Sequence, residues 1–177
     1  MTTAGASGVA ALLDRLQRLG RYEALALVRA QRPRSDVLHA LASAAIPARE
    51  SLLTWFAAWD GQDARGVLGV IDVLPGYYAL SLDDALAHKA HHPAWRSAWL
   101  PVLADGGGDY YFADCDSEAV PMLRHRRDDP AAEVVSPSLD QFLATVVHAF
   151  DAGVVYLLDG HLEQDDEAWL RLLAHRE

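Results

Sequence analysis

The residues best able to do chemistry gather in one block, WLPVLADGGGDYYFADCD, from Trp99 to Asp116. Three consecutive glycines, Gly106, Gly107 and Gly108, stand between Asp105 and Asp109, and Cys115 stands between Asp114 and Asp116. A glycine run serves a phosphate only with particular neighbours. A P-loop needs a Lys–Ser/Thr pair after its last glycine, and a dinucleotide fingerprint needs GxGxxG opening a helix. Here an aspartate and two tyrosines follow, in a stretch that reads as strand, and Asp105 and Asp109 would repel phosphate. The spacing instead fits a β-turn between two strands, with glycines supplying positive φ and close backbone approach.

The other reactive side chains form no recognised constellation. Asp105, Asp109, Asp114 and Asp116 lack the alternating ligands, glycine and distal glutamate of a calcium loop. His88, His91 and His92 could pair on one helix face as zinc ligands, but no HExxH glutamate accompanies them and no third ligand is marked. The carboxylates beside Cys115 raise a thiol pKa, so Cys115 reads as a small buried hydrophobe. No GxSxG elbow is present, His125 and His148 follow no pattern with a serine, and nothing favours a paired-carboxylate hydrolase. The expectation is no catalytic residues, no metal and no cofactor, with a metal-dependent enzyme that uses His88, His91, His92 or the aspartates as the lesser alternative. Its aromatics say more. Trp55, Trp59, Trp95 and Trp99, with Tyr77, Tyr78, Tyr110 and Tyr111, are mostly expected in the core, and any left outside would be rigid anchors for a protein partner.

Bulk properties narrow the function classes. At 177 residues one domain can bury roughly 70% of its unfolded surface, enough for a core without staples. Hydrophobic residues are 51% and charged residues 23%, as in soluble globular domains. A single cysteine allows no internal disulfide, no basic stretch precedes the apolar patch that breaks at Asp14, and no run is long enough to span a bilayer. A cytoplasmic chain without a signal peptide is the expectation. A net charge of −10 argues against nucleic acid as partner. The charge is uneven: Arg15, Arg18, Arg21, Arg29, Arg32 and Arg34 fall early, whereas Asp151, Asp159, Glu163, Asp165, Asp166, Glu167 and Glu177 crowd the end. Such a chain is either kept soluble by its charge or steers a basic partner to its acidic side. The basic helices could also pair with the acidic tail of another copy.

These residues must be carried by particular elements. Apolar spacing over residues 9–31 predicts two helices, or one kinked near Gly20. A helix should restart after Pro33 with Ser35 or Asp36 as cap, and an amphipathic one should bury Leu52, Leu53, Phe56 and Trp59 and end at Gly61. GVLGVIDVLPGYYAL reads as a strand or irregular edge, and Ser81 caps a helix that stops before Pro93. SAWLPVLAD, DYYFADCD, VPMLRHRR and AEVVS form an antiparallel meander. Ser138 caps a long helix closed by Gly153, VVYLLDGHLEQ reads as one more strand, and a terminal helix ends with His175 and Arg176. Helices, then strands, then helices predict α+β.

In this order the pieces resemble the SUKH superfamily, the Smi/Knr-like domains. The resemblance rests on Trp59-Asp60-Gly61, Ser81 to Ala85, Trp99-Leu100-Pro101, Asp105 to Asp109, Phe112 to Asp116 and Ser138 to Leu143. It covers about Ile46 to Phe150, leaving residues 1–45 as N-terminal helices and 154–177 as a C-terminal strand-helix extension of one domain. SEAVPMLRHRRDD departs from it, because the family often carries glycines there. The resemblance implies an antiparallel sheet with helices packed around it, with Tyr110 and Phe112 facing one side and Tyr111 the other. It makes Trp59, Gly61, Trp99, Pro101, Gly106, Gly107 and Gly108 a structural signature. It implies binding rather than catalysis: an immunity protein that neutralises a toxin domain of a polymorphic toxin system, or alternatively a scaffold for regulatory partners. A basic, nuclease-like toxin would suit the acidic surface. The expected contacts are Asp60, Asp105, Asp109, Asp114 and Asp116, together with the acidic tail.

Overall fold

The computed structural model describes residues 4–63 and 68–174. It is an α+β fold built on a five-stranded antiparallel meander, in which every strand pairs with its sequence neighbour. The strands are β1 (Tyr78–Ala79), β2 (Trp99–Ala104), β3 (Tyr110–Asp114), β4 (Met122–Arg126) and β5 (Asp129–Ser136). The register places Trp99 opposite Asp114, Ala104 opposite Tyr110, Tyr110 opposite His125 and Phe112 opposite Leu123. Alternation along β3 then fixes two faces. Tyr111 turns to Tyr77 and to Phe142, whereas Tyr110 and Phe112 turn to Trp95 and Trp99.

The Tyr111 face is covered by α6 (Leu139–Asp151), with α1 (Ala4–Arg18) and α4 (Glu50–Ala58) packed around it. Leu139, Phe142, Leu143, Val146, Ala149 and Phe150 put the buried stripe of α6 at helical spacing. Ser138 caps α6, its hydroxyl accepting from Gln141 N–H at 3.1 Å. The opposite face carries α5 (Leu82–His91), capped by Ser81 at 3.1 Å from Asp84 N–H. The expected break near Gly20 separates α1 from α2 (Tyr22–Ala26). No helix among the described residues is long and apolar enough to cross a membrane.

Several local expectations are corrected. Helix α3 (Arg34–Ser43) starts directly after Pro33, so neither Ser35 nor Asp36 caps it, and the Ser35 hydroxyl donates to the Asp36 carboxylate instead. Helix α4 is not two-faced, because every residue from Leu52 to Phe56 is buried between α1, α3 and the core. It ends at Ala58, and Trp59 is already extended, so Gly61 plays another part. VVYLLDGHLEQ is a hairpin rather than one strand: β6 (Val155–Leu158) and β7 (His161–Gln164) pair with each other apart from the main sheet. Asp159 and Gly160 turn it with φ of 50° and 84°, the backbone that Asp-Gly favours between antiparallel strands. The terminal helix α7 (Asp166–Ala174) forms, while His175, Arg176 and Glu177 lie outside the described residues, as does the start of GVLGVIDVLPGYYAL.

The segment Trp59–Asp63 locks the helices to the sheet. Trp59 is buried edge-on to Trp55. Asp60 accepts from Leu82 N–H at 2.9 Å and binds Arg32 at 2.7 Å. Gly61, at φ +63°, lies so close to Leu80 and Ser81 that an added Cβ would sit 2.3 Å from the Leu80 carbonyl carbon. The Gln62 side chain has no exposed surface. Its amide donates to the Ala24 and Ile71 carbonyls and accepts from Ala79 N–H, so both donors and the oxygen are engaged within the chain.

Candidate binding surface

The glycine run is the turn between β2 and β3, organised by one carboxylate. Asp105 Oδ1 accepts from the N–H groups of Gly107, Gly108 and Asp109 at 2.7, 2.9 and 2.8 Å. Three donors that would suit a phosphate are thereby already used by an internal anion. Asp109 continues the arrangement by accepting from Arg127 N–H at 2.9 Å in the next turn. At the far end of β3, Asp114 accepts from Asp116 N–H at 3.1 Å, and Arg49 holds the carbonyls of Cys115 and Asp116.

The five aspartates expected to meet a partner therefore do not share a patch. Asp105 and Asp109 sit at one end of β3 and Asp114 and Asp116 at the other, roughly 16 Å away at about 3.3 Å per residue. Asp60 is buried in its own ion pair. Only Asp116 is exposed with its carboxylate free of hydrogen bonds and ion pairs among the described residues. The early arginines are also committed within the chain. Arg15 grips Asp151 with two bonds of 3.0 and 2.9 Å, and Arg32 joins Asp60 to Asp83. Arg18 pairs with Asp14, Arg29 with Asp84 and Arg34 with Glu50. Arg21 is buried and donates to the carbonyls of Gly69, Val70, Asp72 and Gly160. Burial pushes its pKa down, whereas hydrogen bonding to Asp83 first of all raises that of Arg32.

What the sheet leaves uncovered is its outer half on the Phe112 side. Helix α5 covers β2, and the loop 92–98 lays Trp95 over Tyr110 and Phe112. Lys89 pins that loop by donating to the carbonyls of Arg96 and Trp99 at 2.8 and 2.9 Å. Beyond Trp95 a groove of about 590 Å³ opens over β3, β4 and β5, lined by Ala94, Arg96, Trp99, Asp114, Leu123 and Val134. Val134 is 61% exposed in the last strand of the sheet. Arg96 stands over the Trp99 ring at 5.3 Å. Trp99 and Asp114, both singled out from the sequence, meet here as cross-strand partners. Arg96 and Val134 carry no such signal: in DPAAEVVS exposed Val134 stands beside buried Val135, and Arg96 lies in a loop.

His88 Nδ1 lies 2.9 Å from the Tyr110 hydroxyl, His92 stacks on Trp95, and His91 turns to the Ala87 carbonyl. Burial pushes the His88 pKa down. Among the described residues no three His, Cys, Asp or Glu side chains converge as metal ligands. Cys115 lies just past the end of β3, fully buried, and burial followed by the Asp114 charge pushes its thiol up to about 12. It is protonated at neutral pH and a poor nucleophile. No family model matches the chain, and no curated protein matches it.

Proposed function

We propose that this chain is a non-catalytic protein-binding domain of the immunity type, which neutralises a toxin domain by docking it against the open half of the sheet. The observation that supports this reading is the groove beside Trp99. It joins an aromatic anchor, an arginine and an exposed β-branched residue, and interface hot spots are enriched in such Trp and Arg pairs. The resemblance to Smi/Knr-like domains supports the immunity role, and the net charge of −10 supports steering of a basic partner.

The test has two steps. Proteins captured from source lysate by the wild-type chain are compared with those captured by Val134→Asp, whose exposed position tolerates the change. A protein lost with Val134→Asp is then expressed alone and together with each form. The reading expects growth arrest by the partner alone, rescue by the wild type and no rescue by Val134→Asp. Equal capture by both forms, or a partner without effect on growth, overturns it.

A further inference from the structure

The geometry points to a second docking surface, at the tip of the β6–β7 hairpin, for an extended segment of a partner protein that alternates basic and apolar residues. This surface is independent of the groove beside Trp99. A cleft of about 470 Å³ separates the hairpin tip from the turn before α2, lined by Tyr22, Glu23, Val70, Leu157, Asp159 and His161. Its apolar part is exposed: Tyr22 by 67% and Leu157 by 39%. Alternation places Leu157 on the face of Val155 and Leu162, which are buried, and at the tip of the hairpin it opens into the cleft, whereas Tyr156 and Leu158 lie on the other face.

Two further features favour an extended guest. No backbone hydrogen bond outside the hairpin engages residues 155–158 or 161–164 among the described residues, so the strand edges are open to pairing. The cleft is also anchored. Arg21 ties Gly160 to the carbonyls of Gly69 and Val70, which holds the tip at a fixed distance from the 69–72 segment.

Charge selects the guest. The Glu23 and Asp159 carboxylates form no hydrogen bond or ion pair among the described residues, and both line the cleft with Tyr22 and Leu157. The nearby cation, Arg21, is buried and turned toward carbonyls. A second copy of this chain is a poor occupant, because a two-fold contact would bring these carboxylates together and its early arginines are already paired.

The test titrates the isotope-labelled full chain with three peptides and follows backbone amide shifts. One alternates Lys and Leu, one Lys and Ser, one Glu and Leu. The proposal expects saturable binding of the Lys/Leu peptide alone, with the largest shifts at residues 20–23 and 157–161. Asp159→Asn keeps the positive φ that asparagine tolerates. Combined with Glu23→Gln it should weaken binding about tenfold. Tyr22→Ser with Leu157→Ser should abolish binding while shifts elsewhere stay unchanged. Equal binding of the Lys/Ser peptide, any binding of the Glu/Leu peptide, shifts centred on Trp99 and Val134, or no saturation overturns the proposal. Dilution-dependent shifts of the tip without peptide would assign the surface to a second copy and overturn it as well.

Discussion

Replacing Gly61 with alanine separates two costs that are usually confounded. The residue sits at φ +63°, where an L side chain pays about 1–2 kcal/mol. Its new Cβ would also stand 2.3 Å from Leu80 C and O and 2.4 Å from Ser81 N. Those atoms are backbone and cannot rotate away. Leu80 N–H is bound to Val102 O, and Ser81 caps α5, so relief must move a strand connection against a helix cap. Overpacking of this kind costs about 1–3 kcal/mol or more. The sum is about 2–5 kcal/mol, a large part of the 5–15 kcal/mol that stabilises a typical domain. Gly153 supplies the control: its φ is +69°, yet a Cβ there meets nothing within 4 Å. Gly153→Ala should therefore cost only the backbone part, about 1–2 kcal/mol. Urea unfolding followed by tryptophan fluorescence reads both variants on one scale. If Gly61→Ala is less than about 1 kcal/mol worse than Gly153→Ala, the close approach to Leu80 is not a constraint and the reasoning fails.

Asp60→Ala should destabilise the fold by about 2–4 kcal/mol, because it strands Leu82 N–H and half of Arg32, whereas Asp116→Ala should stay within about 0.5 kcal/mol; equal urea midpoints would return Asp60 to the list of partner contacts. Burial holds His88 below its ordinary 6.5, so the unfolded chain binds a proton first and stability falls as pH drops below 6.5. The melting temperature of His88→Gln should fall less steeply over that window, and parallel slopes would show that His88 does not carry the effect. Hydrogen bonding to Arg32 holds Asp83 below 3.8, so its contribution is present above 3.8 and fades at still lower pH, outside the His88 window.

Much of the architecture was legible because local rules and tertiary packing agreed. Ser81 and Ser138 cap the helices their spacing announced, and the four short runs from Trp99 onward pair as a meander. Tyr111 lies on one face of β3 and Tyr110 and Phe112 on the other, as expected, since side chains in a strand have a period of two. The Asp-Gly pair at 159–160 carries the turn signal that divides VVYLLDGHLEQ into two strands rather than one.

What the sequence could not decide was how each charge is spent. An aspartate in a glycine-rich turn reads the same whether it faces a partner or three of its own backbone amides, and only the folded turn shows Asp105 occupied. The opposed charge of the two ends of the chain was plain in the residues. That Arg15 meets Asp151 across 136 positions, within one molecule, depends on α1 lying against α6. Gln62 gave no signal at all, because a buried amide is recognisable only by the three backbone groups that fold around it. Spacing along the chain therefore determined elements and faces, which are local properties of the backbone. Pairing and exposure, and with them the open groove beside Trp99 and the acidic hairpin tip, were decided by contacts between residues far apart in sequence.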